Sequence, residues 1–278
     1  MSLVNTPLRL VFDALLYPFR ELPPLVGLGV VSALTGIAML WVFKLTSDQT
    51  ALAAVKRQIH AGLFEIRLYN DDLRAIFRAQ RHILRHNLSY LRLSLAPMIW
   101  MLAPLLLVVA QLQFHYGYAG LEPGARVVLK AELRTAPGAQ DGTPVRPAVS
   151  LEAPEGLRVE TPAVWIPGLR ELAWRIAADR PGDYELRLRV GDAVATKTVR
   201  VTGAVVRRSP VRVSGLLDQI LYPAESPLPG SSPFRSISVG YPEREIDVFG
   251  MGLHWMIVFF VLSIAVAFAL RNRLGVTI

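Results

Sequence analysis

Four arginines recur in the sequence at intervals of four, three and four residues: Arg74, Arg78, Arg81 and Arg85. On a helix this spacing places all four side chains on one face. Like charges so spaced repel each other by a few tenths of a kcal/mol per pair, so helix stability does not explain them. One interpretation is a contact face for a client protein or an anionic partner, such as lipid headgroups, a ribosome or an acidic nascent segment. The alternative is that the four arginines are exposed to solvent, bind nothing and only help to determine the orientation of the protein in the membrane by the positive-inside rule.

Other residues that could carry chemistry are few. His82 and His86 lie one helical turn apart, but no third metal ligand accompanies them. The chain has no cysteine, no glycine-rich phosphate loop and no HExxH or GxSxG motif. We therefore predict a protein that is not an enzyme, with no catalytic, cofactor-binding or metal-binding residues and no cofactor.

Three apolar segments have the length of membrane spans, and they determine where the residues described above lie relative to the membrane. They cover residues 24–46, 94–114 and 250–270. Pro97 and Pro104 interrupt the second segment and predict kinks in it. The alternative, three buried core helices, is hard to accommodate in a chain of 278 residues.

Between the first two apolar segments, residues 47–93 predict a coiled-coil helical hairpin. Two series of side chains recur at spacings of three and four residues, which is typical of helices that share a seam. They are Leu52, Val55, Ile59, Leu63 and Ile66, followed by Leu73, Ile76, Gln80, Ile83, Asn87 and Leu91. The break falls at Tyr69 to Asp72, where Asn70 or Asp71 is suited to cap the second helix.

Residues 1–23 alternate apolar and charged side chains at helical spacing. This pattern favours an amphipathic helix that lies in the membrane interface. It differs from the pattern of a secretory signal, so we expect the segment to be part of the mature protein. A helix packed against the β-rich domain is the alternative interpretation.

Residues 115–205 contain short alternating segments between turn signals, which predict an immunoglobulin-like β-sandwich without a disulfide. Trp165 and Trp174 are its expected core aromatics. Residues 206–249 are rich in proline, serine and glycine and predict a tether that returns the chain to the third apolar segment. The predicted fold class is thus membrane α+β, with three transmembrane helices, a hairpin and a sandwich.

The distribution of charge predicts the orientation. Residues 47–96 have a net charge of +4, and the tail 271–278 adds Arg271 and Arg273, whereas residues 113–249 have a net charge of only +1. By the positive-inside rule, the hairpin and C-terminus are cytoplasmic, and the N-terminus and sandwich lie outside the cytoplasm. We expect the protein to be integral to the plasma (inner) membrane. Because the excess positive charge flanks the membrane, it does not indicate DNA binding.

Two sequence stretches carry a resemblance to a known family. They are FKLTSDQ at 43–49 and LAPMIWMLAPLLLV at 95–108. With the order of helix, span, basic hairpin and proline-containing span, they resemble the YidC/Oxa superfamily of membrane protein insertases, particularly its short three-span branch. The resemblance covers about two-fifths of the chain, and the sandwich has no counterpart in that branch.

The resemblance implies an insertase-like biogenesis factor, a type of membrane chaperone in protein transport. The spans would form a polar groove open to the cytoplasm, and the hairpin would receive nascent membrane proteins. Polar residues available for the groove are Ser32, Thr35, Lys44 and Gln111. The family usually has a groove arginine where this chain has Met39. The alternative hypothesis is therefore a scaffold or tether subunit, whose sandwich binds an envelope partner.

Overall fold

The computed structural model describes residues 2–69, 72–134, 146–215 and 218–276. The chain forms two compact units. The β unit comprises Met1–Gly27 and Ala110–Trp255, and the helical unit comprises Leu28–Val109 and Met256–Ile278.

The helices account for most of the chain outside residues 117–254. Their bounds are α1 Ser2–Leu16, α2 Pro24–Thr46, α3 Gln49–Leu68, α4 Leu73–Tyr116, α5 Asp218–Leu221 and α6 Trp255–Leu270. Short 3-10 turns occupy Tyr17–Phe19 and Pro167–Leu169.

Two helices are long and apolar enough to cross a membrane, α2 and α4. The second arm of the predicted hairpin and the second apolar segment form one continuous helix, so no break separates residue 93 from residue 94. Neither Pro97 nor Pro104 ends this helix. Only 6% of its most apolar stretch is buried, so the chain itself leaves those side chains uncovered.

The third apolar segment is shorter than predicted, because α6 begins at Trp255 and has 16 residues. Residues Met251–His254 instead form strand β11, which pairs with β10, Glu245–Val248. Phe249 and Gly250 both have positive φ angles, 54° and 83°. A two-residue turn of this kind matches the twist of a hairpin, which explains why the chain folds back before the helix begins.

The β unit contains two larger antiparallel sheets. The strands are β1 Arg126–Leu133, β2 Val149–Glu152, β3 Leu157–Val159, β4 Val164–Ile166, β5 Glu171–Ala178, β6 Gly182–Val190, β7 Ala193–Val201, β8 Val211–Val213 and β9 Phe234–Val239. One sheet has the order β3-β5-β1-β9-β8, with β4 also on β5, and the other has the order β2-β6-β7.

Both sheets contribute to one apolar core, which gives the unit a sandwich-like architecture. Strands β1, β5 and β9 supply buried residues from the first sheet, and β6 and β7 supply Leu186, Leu188 and Val199 from the second. Trp174 is buried in this core and Trp165 packs against it, as predicted. In the described residues 126–134 and 146–201, the alternating segments therefore contain β-strands, as predicted.

The prediction of a tether over residues 206–249 is wrong, because this segment supplies two strands of the larger sheet. Strand β9 pairs with β1 along Leu129–Leu133 and buries Phe234, Ile237 and Val239. Strand β8 pairs with β9 at the sheet edge. Proline, serine and glycine on either side of residues 234–239 obscured a short alternating pattern that the core needs.

In the helical unit, α2 and α6 meet where both have small residues. A Cβ on Gly36 would collide with the backbone carbonyl of Ser263. Farther along, the Lys44 ammonium donates a hydrogen bond of 2.8 Å to the Leu274 carbonyl, just after α6. Because both contacts advance in the same direction along the two segments, α2 and α6 run parallel.

Helix α1 belongs to the β unit. Phe12 and Leu16 are buried, and the Arg20 carbonyl accepts a hydrogen bond of 2.8 Å from the Val205 N–H. Leu10 and Val11 remain exposed. One side of the helix thus packs within the unit, and the other presents apolar side chains, as an interfacial helix would.

Candidate functional site

Capping residues define both helix starts in the hairpin. The Asp48 carboxylate accepts hydrogen bonds from the N–H groups of Ala51, at 2.9 Å, and Thr50, at 3.1 Å, and these lower the pKa of Asp48. At the start of α4, the Asp72 carboxylate accepts a bond of 2.8 Å from the Arg74 N–H. The predicted caps Asn70 and Asp71 lie outside the described residues.

Helices α3 and α4 pair antiparallel. Gly62 faces Ile83, whose Cγ1 would lie 2.6 Å from a Cβ at Gly62, and the Lys56 ammonium lies 5.7 Å from the centre of the Tyr90 ring. Glycine at position 62 therefore permits a close approach of the two helices.

The face of α4 that packs against α3 differs from the predicted face. Ala79 is buried and Ile76 and Ile83 are half-buried, whereas Leu73 and Leu91, two of the predicted seam residues, are exposed. The helical period was predicted correctly, but apolar side chains occur on more than one face of α4, and spacing alone did not show which face meets α3.

This difference leaves a row of large apolar side chains on the outside of α4. The members recur at spacings of three, four and seven residues, so they share one face, and each is between 51% and 71% exposed: Leu73, Phe77, Leu84, Leu88, Leu91 and Leu95. Isolated exposed leucines are ordinary, but a continuous apolar row marks a surface that another molecule covers.

The four predicted arginines, Arg74, Arg78, Arg81 and Arg85, lie beside this row. All four are exposed, and at 3.6 residues per turn their stripe is centred about 80° around the helix from the apolar row. Among the described residues, no acidic side chain forms an ion pair with any of them. We call the apolar row and the arginine stripe together the hairpin contact face.

The hairpin contact face can recognise a ligand in two ways at once. Its leucines and phenylalanine would gain free energy from being covered, at about 25 cal/mol per Å² of apolar area. Its arginines can form paired hydrogen bonds to carboxylates or phosphates. A ligand that is apolar along one edge and anionic along the other satisfies both.

The predicted groove residues are used within their own units. Ser32 is buried and donates a hydrogen bond of 2.7 Å to the Leu28 carbonyl, one turn back in the same helix. Thr35 is buried on α2, and Lys44 bonds to Leu274. Gln111 belongs to the β unit, and the other three belong to the helical unit.

Within the β unit, Gln111 takes part in a polar network that sequence reasoning missed. Its side-chain oxygen accepts a bond of 2.8 Å from Arg207, whose Nε lies 3.0 Å from the Asp13 carboxylate. The same carboxylate oxygen lies 3.0 Å from Nε2 of His115. The network joins α1, the end of α4 and the loop after β7.

The two partners of Asp13 determine its ionisation. Burial alone would raise the pKa of the Asp13 carboxyl, but His115 and Arg207 outweigh it and lower the pKa. Asp13 and Arg207 are 194 residues apart in sequence. The one sequence signal for a buried partner of Asp13 was the pair of adjacent arginines at 207 and 208, which follow the apolar residues 204–206.

A second buried pair joins the middle of β7 to the segment before β9. The Lys197 ammonium, fully buried, lies 2.5 Å from the Glu225 carboxylate and also donates to both oxygens of Ser209. The pKa of Glu225, which burial would raise, is lowered by Lys197 and by hydrogen bonds from Thr198 and Ser209. Both of these networks hold segments together rather than presenting free reactive groups.

Within the described ranges, no group of three or more histidine, aspartate or glutamate residues is arranged to hold a metal ion. His82 is exposed and His86 half-buried on α4. Compared with known protein families and with curated proteins, the sequence matches none.

Proposed function

We propose that this chain is a membrane protein biogenesis factor of the insertase-like type, which receives client proteins on the hairpin contact face. The observation that carries the proposal is the exposed apolar row on α4 beside four exposed arginines, which have no acidic partner in the part of the chain that the structure describes. A segment about to enter a membrane is apolar and can cover the row, and acidic residues beside such a segment can pair with the arginines.

Three crossings of the membrane accompany this proposal. Helix α4 has 44 residues and is about 66 Å long, roughly twice the 30 Å of a hydrocarbon core, so its hairpin end must project into water. Helix α6, at about 24 Å, needs local thinning or flanking apolar residues to cross. The parallel course of α2 and α6 supports crossings in the same direction.

The excess of arginine on the hairpin supports a cytoplasmic hairpin and an extracytoplasmic, immunoglobulin-like β unit. In this arrangement a client leaves the ribosome, covers the apolar row of α4 and then moves along the same helix towards the lipid. Local thinning would lower the cost of passing a polar tail, which for a charged group is at least about 2.5 kcal/mol at the bilayer centre.

Site-specific photo-crosslinking in a translating system tests the proposal. A photoreactive residue at Leu84 or Leu88 should trap nascent membrane proteins, and the same residue at Gln58, exposed on α3, is the matched control. Trapping that is equal at all three positions, or absent at Leu84 and Leu88, would contradict a client-binding face.

The alternative is a scaffold or tether subunit of a membrane complex, and one observation favours it. The polar groups of Ser32 and Lys44 bond within the helical unit, and Met39 stands where the insertase family usually has a groove arginine. Purification in mild detergent separates the two functions. A stoichiometric complex without ribosomes or clients would favour the scaffold, and the hairpin contact face would then bind a partner subunit.

A further inference from the structure

A polar cavity of about 280 Å³ lies in the β unit, beside the Asp13–Arg207 pair. Since one water molecule occupies about 30 Å³ in the liquid, the cavity has room for several waters or one small molecule. Residues from α1, β7, the loop after β7 and the segments before and after β9 line it, among them Arg9, Asp13, Arg200, Arg207, Glu225 and Tyr241.

The charges around this cavity do not balance. Asp13 offsets Arg207, and Glu225 offsets Lys197 behind the wall. Arg9 and Arg200 remain, and the nearest carboxylate to Arg200 is the exposed Asp183, at 3.5 Å from its Nε. The lining therefore has an excess of positive charge, which favours an anion.

Hydrogen-bond donors remain available at the same place. Among the described residues, the Arg9 side chain makes no hydrogen bond, and Arg200 uses Nη1 on the Arg207 carbonyl, which leaves Nη2. The Tyr241 hydroxyl accepts from the Arg200 N–H at 3.0 Å and keeps its own proton to donate. In contrast, the hydroxyls of Thr198 and Ser209 are engaged by Glu225.

We propose that this cavity is a binding site for a phosphate group, held by Arg9, Arg200 and the Tyr241 hydroxyl. Two arginines suit phosphate because each planar guanidinium can donate two parallel hydrogen bonds to its oxygens. The volume exceeds what a bare ion needs and leaves room for a small ester such as glycerol phosphate. The phosphate belongs either to a phospholipid headgroup or to a soluble phosphate compound.

The site is independent of the hairpin contact face, which lies in the other unit. It assigns a role to the guanidinium of Arg9, since only the backbone carbonyl of this residue takes part in the Asp13–Arg207 network, as an acceptor from Arg207. It also explains why the cavity wall carries arginine where a water-filled void would need only neutral donors and acceptors.

Calorimetric titration of the full chain, purified in neutral detergent and phosphate-free buffer, tests the proposal. The probes are inorganic phosphate, glycerol phosphate and short-chain phosphatidylglycerol, with short-chain phosphatidylcholine as the lipid comparison. Arg9→Gln should weaken phosphate binding by about tenfold or more, and Arg9→Lys by less, because charge is kept while the paired donors are lost. Arg126→Gln, an exposed arginine on β1, is the matched control.

The outcomes separate the two sources. Binding of glycerol phosphate that depends on Arg9 assigns a soluble phosphate compound, whereas Arg9-dependent binding of phosphatidylglycerol alone assigns a lipid headgroup. The proposal is overturned if no probe binds, or if Arg9→Gln and Arg126→Gln bind every probe equally while both unfold at the temperature of the unaltered chain. The cavity would then hold only water.

Discussion

The two units of this chain use charge in opposite ways. In the β unit, Lys197 and Arg207 are buried and each contacts a carboxylate and further hydrogen-bond acceptors. On α4, the arginines are exposed and have no acidic partner among the described residues, and the apolar side chains beside them are equally uncovered. Buried charges that contact a carboxylate fix one arrangement of segments, whereas the exposed arginines are accessible to another molecule.

The buried Lys197–Glu225 pair gives the largest expected effect. Lys197→Met should lower the free energy of unfolding by about 3–5 kcal/mol, because it leaves the Glu225 carboxylate buried without its cation. Thermal or chemical unfolding of the full chain in detergent measures this loss. Arg189→Met, which breaks an exposed contact of 3.8 Å with Glu152 on the neighbouring strand of the same sheet, should change stability by less than about 1 kcal/mol.

A double variant sharpens this result. Lys197→Met with Glu225→Leu should recover much of the loss, since apolar residues of similar volume can replace a buried ion pair. If the single variant costs no more than Arg189→Met, the pair does not hold the sheet to the following loop as described.

Acid should destabilise the β unit by protonating the same carboxylates. The pKa values of Glu225 and Asp13 are lowered from their ordinary values of 4.5 and 3.8, so both groups favour the folded state above those values. That contribution is lost as the pH falls through the lowered pKa values. Melting curves from pH 7 to pH 3 should show falling stability, with a smaller fall in Glu225→Gln. Stability that rises below pH 4 would contradict this assignment.

The contact between α2 and α6 tests the interior of the helical unit. Gly36→Ala should destabilise the unit by about 1–3 kcal/mol, because the new methyl group collides with the Ser263 carbonyl. Gly29→Ala is the matched control on the same helix, since a Cβ there meets nothing within 4 Å. Equal unfolding temperatures for the two variants would show that α2 and α6 do not approach closely at Gly36.

Local patterns in the sequence were sufficient for much of the fold. Alternation predicted the strands from residue 126 to residue 201, and helical spacing predicted the two hairpin arms. Strand β9 was missed because its pairing with β1 joins segments about 100 residues apart. The start of α6 was misplaced because hydropathy does not register the turn at Phe249 and Gly250.

The candidate surfaces were predictable only in part. The arginine stripe follows from spacing, so the sequence located it, but the apolar row depends on which face of α4 meets α3. The phosphate site joins Arg9 to residues 200 and 241, which are distant in sequence and carry no shared pattern. Such a site emerges only when the tertiary contacts of α1 are known.

The hairpin contact face should give the smallest effect on stability and a large one on binding. Arg78→Gln with Arg85→Gln, or Leu84→Ser with Leu88→Ser, should change the free energy of unfolding by less than about 1 kcal/mol, because these side chains are exposed and no ion pair holds them within the described ranges. Client crosslinking from the hairpin should nevertheless fall in both variants. A melting temperature that drops as far as it does in Lys197→Met would mean that the face is covered within the chain, and the contrast between the two units would fail.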